Sequence, residues 1–218
     1  MLRIDQIDVA HVATEAERQE VLSVLRTTYL DEKGWATDVD AFFSEDDRDN
    51  PDIDWLIARV DGEAAGVLRV HYDPPLGTYI EYGLEFLDPS LNVEEFLKKN
   101  RVAEIGRFAV TPEFRNKVVL PAALMKGATI ATIKRNYTHF VTDVLEDDPH
   151  SPYGFHTRVL GFKVVATHKT GELLSESRRL TLLLDLKDCY RRLRQRNSWF
   201  SRYMFEGWQA DMHQQMAA

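Results

Sequence analysis

The sequence predicts an α+β fold in which helices pack on a central mixed sheet, and three features carry that expectation. Apolar side chains at Val21, Leu22, Leu25 and Tyr29 fall at roughly helical spacing on an otherwise polar segment. Two apolar runs, WLIARV and AAGVLRVHY, flank Asp61-Gly62, a dipeptide suited to a tight hairpin because both central positions of a type I′ turn need φ > 0. Strand-like and helix-like segments then alternate, giving the order helix, antiparallel hairpin, strand, helix, strand, helix, strand.

Taken in order, the first helix is expected from about Thr14 to Leu30, with Lys33-Gly34 ending it. The acidic, turn-rich stretch ATDVDAFFSEDDRDNPDID reads as a loop or short helix, and its SEDDRD run as a solvated surface. Pro74-Pro75 closes the second hairpin strand. After an irregular segment, Val93 to Lys99 reads as a helix and RVAEIGRFAV as a strand stopped by Pro112. A helix from roughly Pro121 to Asn136 precedes the buried strand HFVTDVL. SPYGFHTRVL then reads as a short helix, GFKVVATH and RRLTLLLDL as strands, and a basic C-terminal helix follows. With no internal repeat, low-complexity tract or linker, one domain over residues 1–218 suffices, with a core of about 14–186 and 187–218 as a helical extension.

Composition narrows the function. The net charge of -8 argues against general affinity for nucleic acid, although the segment from Lys187 to Arg202 carries six basic residues against one acidic. A lone cysteine, Cys189, excludes an internal disulfide and a multi-cysteine zinc site, and no His/Asp/Glu cluster has a ligand spacing, so no metal is expected. No apolar run approaches the roughly 20 residues needed to span a bilayer. The opening residues resemble neither a signal nor a transit peptide, so a cytoplasmic location is expected.

One stretch points to chemistry. EIGRFAVTPEFRNKVVLPAALM, from Glu104 to Met125, looks like the strand, turn and helix opening that many proteins use to hold a phosphate, yet its turn has no glycine. In the order of elements and in the strings EIGRFAV, RNKVVL (Arg115 to Leu120) and HTRVLGF (His156 to Phe162), the chain resembles the GNAT family of acyltransferases from about Val21 to Leu186. The resemblance implies a GNAT-like central mixed, mostly antiparallel sheet flanked by helices, to which the basic C-terminal helix is an addition. In that family an R/Q-x-x-G-x-G/A turn holds the pyrophosphate of the acyl donor, whereas here Val118 and Leu120 stand where glycines would lie.

One branch of the family does not rely on that cradle and takes its acyl group from acyl carrier protein. The chain is similar to this branch, the N-acyl amino acid synthases and acyl-homoserine-lactone synthases. The similarity lies in Arg26 with Tyr29, Trp35 in KGW, Asp38, Asp40, Arg69 in GVLRV, and Glu104 with Arg107 in EIGRF, an E-x-x-R-F element. The Arg26 to Tyr29 spacing is one residue shorter than the homoserine-lactone pattern.

Acyl transfer from a thioester needs a neutral amine, a group to take its proton, and donors facing the developing oxyanion. The resemblance implies that backbone N–H groups within Phe108 to Val110 are those donors. Glu104, in an otherwise apolar strand, is the candidate base, directly or through a water; the competing role is an ion pair with Arg69 or Arg107. Where acetyltransferases carry a thiol-protonating tyrosine this chain has Thr157, and His156 and Tyr153 are nearby substitutes; the other role for His156 is structural. A thiol pKa of about 8.5 also makes sulfur a tolerable leaving group unaided. Arg26, Trp35, Arg69 and Arg107 are candidates for binding the acceptor, guanidinium against carboxylate, with a solvated Arg26 and a core Trp35 as the alternatives. Arg115, Asn116 and Lys117 are candidates for the donor's phosphates.

No permanently bound cofactor is expected, only acyl carrier protein or acyl-coenzyme A as co-substrate. Arginines interleave with Tyr190, Leu193, Trp199, Tyr203, Met204 and Phe205 in the C-terminal segment. That composition fits docking of an acidic carrier protein or anionic membrane, simple packing on the fold, or a dimer contact. The expected activity is transfer of a medium or long acyl chain to the amine of an amino acid or related small molecule by direct attack. The alternatives are a short-chain coenzyme A-dependent N-acetyltransferase and a catalytically retired domain that binds an acyl thioester or a partner.

Overall fold

The computed structural model describes residues 2–76, 81–115 and 117–218, apart from the side chain of residue 45. Among the described residues there are eight strands: β1 Ile7–His11, β2 Ile53–Val60, β3 Glu63–Tyr72, β4 Glu85–Phe86, β5 Val102–Val110, β6 His139–Leu145, β7 Lys163–His168 and β8 Arg179–Asp185. They form a sheet in the order β1-β2-β3-β5-β6-β8-β7-β4. β5 and β6 run parallel, while β1–β2, β2–β3, β6–β8, β7–β8 and β4–β7 are antiparallel. The fold is therefore the mixed, mostly antiparallel α+β sheet that the sequence predicts. The chain divides into two compact units.

The first unit takes in residues up to Tyr72, Ile105–Thr129 and Glu172–Ser175. Its first helix, α1 (Glu15–Leu25), begins at a capping box: the Thr14 hydroxyl accepts from the Glu17 N–H at 3.2 Å, and the Glu17 carboxylate accepts from the Thr14 N–H at 3.0 Å. Val21, Leu22, Val24 and Leu25 form its buried face. The helix widens into a π-turn over Arg26–Glu32, where the Thr28 hydroxyl donates to the Val24 carbonyl at 2.7 Å, and Gly34 at φ +60 stops it. Short α2 (Glu45–Asp49) lies in the acidic stretch.

The β2–β3 turn takes φ +51 at Asp61 and +89 at Gly62, as a type I′ turn requires. At Gly66 of β3 a Cβ would lie 3.1 Å from the Ala109 carbonyl oxygen and 3.2 Å from Leu120, so a bare Cα is what lets β5 and the following helix come this close. That helix, α4, spans Val119–Lys134 and follows α3 (Val93–Lys99) in the chain. α4 starts two residues before the expected Pro121 because a proline costs nothing in the first turn, where its missing N–H has no partner to lose. The core of the unit gathers Val21, Leu22, Leu25, Phe43, Trp55, Ile57 and Val67, with Phe43 stacked on Trp55 at 4.5 Å.

The second unit takes in Asp73–Glu104, Ile130–Gly171 and Glu176–Ala218. β6, β8 and β7 bury Phe140, Val141, Leu182, Leu184 and Ala166. Asp143 on β6 accepts from His168 on β7 at 2.9 Å, and the His168 ring stacks on Tyr82. The expected single C-terminal helix is corrected to three: α5 (Leu186–Gln195), α6 (Trp199–Phe205) and α7 (Ala210–Ala217). The first break comes where Arg196 turns extended and Ser198 caps α6, and the second where Gly207 adopts φ +79.

Cys189, Tyr190, Leu193, Phe200, Met204, Met212 and Met216 turn inward, while Arg191, Arg194, Arg196 and Arg202 are exposed. Burial pushes the Cys189 thiol up to about 12, which leaves it protonated and unreactive. Strands β1 and β4 were not expected from the sequence.

Candidate active site

Strand β5 organises the site. Its parallel ladder with β6 pairs Val102, Ala103 and Glu104 with His139, Phe140 and Val141 and goes no further. At Arg107 the backbone turns left-handed, φ +49, a conformation that costs a non-glycine residue about 1 kcal/mol or more and that concentrates at functional positions. Past this kink the strand closes on β3, with the Thr111 N–H donating to the Ala65 carbonyl at 2.9 Å. Phe108 to Val110, expected to supply the oxyanion donors, follow the kink directly, and Glu104 is half-buried at the last paired position before it.

The kink presents the Arg107 guanidinium to two partners. Its Cζ lies 4.0 Å from the centroid of the Phe42 ring, and Nη2 donates to the Glu172 carboxylate. The Arg107 side chain is 10% exposed, whereas Glu172 is 51% exposed. Arg107 Nε is buried and makes no hydrogen bond among the described residues. Arg69 and His71, two apart on β3 and so on one face of the strand, also act electrostatically on Glu172. Burial by itself pushes the Glu172 carboxyl up, but the charge and hydrogen bond of Arg107, with the charges of Arg69 and His71, outweigh it and hold the group below the usual carboxylate range.

An aromatic wall adjoins this cationic group. Phe42 meets buried Tyr29 edge-on at 6.0 Å, and Tyr29 meets Trp35 edge-on at 5.4 Å. Trp35 is half-buried, with Lys33 Nζ 4.1 Å from its ring centroid and its carbonyl accepting from the Leu174 N–H at 2.7 Å. The first unit thus links Trp35, Tyr29, Phe42, Arg107 and Glu172 in one chain of contacts. Arg26 stands apart from it: 48% exposed, it reaches Asp40 only at 3.8 Å, which is the geometry of a solvated residue.

The residues expected at the donor's phosphates are placed differently. The Arg115 guanidinium forks onto both oxygens of Glu32, and its Nε donates to the Val110 carbonyl at 3.0 Å. Lys117 is exposed on a shallow cleft of about 450 Å³ that it shares with Asp61 and Glu63, carboxylates that disfavour a phosphate there. Asn116 lies outside the described residues.

His156 is placed in the interior. Its imidazole is fully buried against Phe155 and Phe162, with ring centroids 5.8 and 4.9 Å away, and burial lowers its pKa to about 3. This is the position of the structural role weighed for His156, within the core of the fold. The Thr157 hydroxyl is engaged by the Tyr153 carbonyl at 2.8 Å. Glu172, Glu32 and Phe42 were not identified from the sequence; nothing in KTGELLSES or in LDEKG marks its glutamate as an arginine partner. Among the described residues no group of three or more His, Cys, Asp or Glu side chains could hold a metal ion.

The fold has recognisable relatives. FeeM, an N-acyl amino acid synthase from uncultured soil microbes, superposes with a TM-score of 0.64 at 15% identity, over 85% of this chain and 93% of its own. An agmatine N-acetyltransferase superposes with a TM-score of 0.58 at 13% identity, over 84% and 100%. The ribosomal-protein-S18-alanine N-acetyltransferase of Escherichia coli gives 0.55 at 10% identity, over 82% and 93%. At these identities the likeness shows the fold, that of the GNAT acetyltransferases. No curated protein gives a significant match to the sequence. The sequence model of one family, N-acyl amino acid synthase FeeM, matches residues 20–179, which include Arg26, Trp35, Arg69, Glu104, Arg107 and Glu172. Since that match covers most of the chain, the protein belongs to the FeeM family of N-acyl amino acid synthases, which transfer an acyl group to the amine of an amino acid.

Proposed function

We propose that the enzyme moves a medium or long acyl chain from a carrier-protein or coenzyme A thioester to the α-amine of an amino acid whose carboxylate is held by Arg107 and Arg69. The observation that carries this assignment is the Arg107 guanidinium. It is almost enclosed, stands on the kink of β5 immediately before Phe108, and is already paired with a carboxylate. A guanidinium in that place fixes the acceptor by its acid end, and the aromatic wall of Phe42, Tyr29 and Trp35 offers its side chain an apolar surface.

The chemistry is direct attack. Glu104, three residues before Arg107 on the same strand, takes a proton from the ammonium or amine, directly or through a water. The amine nitrogen adds to the thioester carbonyl, backbone N–H groups within Phe108 to Val110 stabilise the oxyanion, and collapse forms the C–N bond as the C–S bond breaks. With His156 buried and neutral, the thiolate leaves without a dedicated acid and takes its proton from solvent.

Three observations favour carrier protein over coenzyme A as the donor. The turn before α4 has Val118 and Leu120 in place of glycines, Arg115 is engaged by Glu32, and Lys117 shares its cleft with acids. The exposed arginines Arg191, Arg194, Arg196 and Arg202 of α5 and its neighbours suit an acidic carrier. No helix among the described residues is long and apolar enough to cross a membrane.

The test is product analysis by mass spectrometry. The purified protein is incubated with pooled amino acids and, separately, acetyl-coenzyme A, palmitoyl-coenzyme A and palmitoyl carrier protein. A long-chain N-acyl amino acid, formed faster from the carrier protein and more slowly as salt rises, is the expected result. Acetylated product alone, or no product from any donor, contradicts it.

A further inference from the structure

We propose that Glu172 is a built-in stand-in for the acceptor's carboxylate, occupying the Arg107 subsite when it is empty and leaving when an amino acid binds. This rests on the assignment of Arg107 to the acceptor and adds a competitor that sets its affinity.

The pair is asymmetric in a way that suits exchange. Arg107 is fixed from the protein side: its backbone is kinked, its guanidinium lies against Phe42, and its side chain is 10% exposed. Glu172 comes from the solvent side, half exposed, and engages Arg107 through Nη2. Arg107 Nε remains buried without a hydrogen bond among the described residues, so a donor next to the occupied one is unused. A ligand carboxylate with two oxygens free to turn can take both donors, as Arg–carboxylate recognition favours.

The segment carrying Glu172 meets the core beside Trp35. Glu172–Ser175 belongs to the first unit, where the Leu174 N–H donates to the Trp35 carbonyl at 2.7 Å. Leu173 packs on the edge of the core and the Leu174 side chain is exposed. Displacement conserves charge, because one carboxylate replaces another beside Arg107, Arg69 and His71, and no buried cation is left bare. The internal carboxylate then acts as a tax on binding: the apparent dissociation constant rises by the inverse of the fraction of molecules in which Glu172 is away.

Calorimetric binding of the twenty common amino acids and their amides, without any thioester, tests this on the full chain. The expected result is that at least one amino acid binds Glu172→Gln about tenfold more tightly than the unaltered protein, while its amide shows no such gain. Leu174→Pro, which removes the N–H given to Trp35 and keeps Glu172, should move affinity in the same direction by a smaller factor, and it serves if the first variant fails to fold. Equal or weaker amino-acid binding by the folded variants, or no binding by any form, overturns the proposal.

The two assignments fail separately. Tighter binding by Glu172→Gln with no acyl transfer from any donor would leave Glu172 as the competitor and remove the acyltransferase chemistry. Acyl transfer with unchanged binding would do the reverse.

Discussion

Two arginines near the end of β5 each hold a glutamate, and the pairs behave as different devices. Arg115 forks onto both oxygens of Glu32, spends Nε on the Val110 carbonyl, and has a partner whose side chain is 29% exposed. Arg107 gives Nη2 to Glu172, leaves Nε unused, and has a partner that is 51% exposed. The charges are the same. What separates them is how many donors remain and how easily the partner can leave, so the first pair is a fastening between the π-turn and the strand end and the second is a socket with a removable occupant.

The largest effect that can break this comparison is Arg107→Met. It should lower kcat/KM for the amino-acid acceptor by about 10²–10³-fold with stability little changed, because an anion would then bind beside a missing partner. Steady-state kinetics with thermal unfolding decides it; an unchanged kcat/KM makes Arg107 a second fastening. Glu104→Gln should lower kcat by about 10²-fold with the acceptor's KM nearly unchanged, separating proton transfer from carboxylate binding on one strand. Near-normal turnover would return Glu104 to a structural ion pair.

Arg115→Ala should act on stability instead, by about 1–3 kcal/mol, read from the urea midpoint, with the acceptor's KM unaltered. A selective rise in the donor's KM, without loss of stability, would show that Arg115 holds phosphate after all.

His156 belongs with the fastenings, and pH sharpens the distinction. Its pKa is lowered by burial from the ordinary 6.5 to about 3 in the folded chain. Between those values the unfolded chain carries the extra proton and the folded one does not. Its contribution to stability is therefore intact above about pH 6.5 and is lost progressively toward pH 3. Denaturant titrations at pH 7 and pH 5 should show this dependence, and His156→Phe should flatten it.

Much of the fold is legible because it is written in local chemistry. Thr14 with Glu17 marks the start of α1, Asp61-Gly62 marks the hairpin, and the apolar runs of β5, β6 and β8 need no tertiary information. β1 escapes because a short edge strand with Asp8 and His11 has no glycine or proline before it to mark its start, and β4 because two residues have no periodicity. The C-terminal segment reads through as one helix because its apolar spacing continues across Ser198 and Gly207, although a cap and a glycine are there to be seen.

At the site, Arg69 and Arg107 stand out as cations inside apolar strands. Glu172 and Glu32 do not, since they lie 65 and 83 residues from the arginines they meet and only folding selects them. The sequence leaves both roles of His156 open for a related reason: burial is decided by Phe162 and its neighbours closing over the ring, which a histidine at the start of a short helix does not announce.

The most direct test of the socket is the unaltered enzyme's preference between an accepted amino acid and the same amino acid with its carboxylate converted to an amide. Initial rates over a range of acceptor concentrations give kcat/KM for each. If Arg107 and Arg69 hold the acceptor by its acid end, the amide should be poorer by about tenfold or more, mainly through KM. Equal values for the two would mean that the amine finds the thioester without the carboxylate, and that Arg107 is fastened to Glu172 for the sake of the fold.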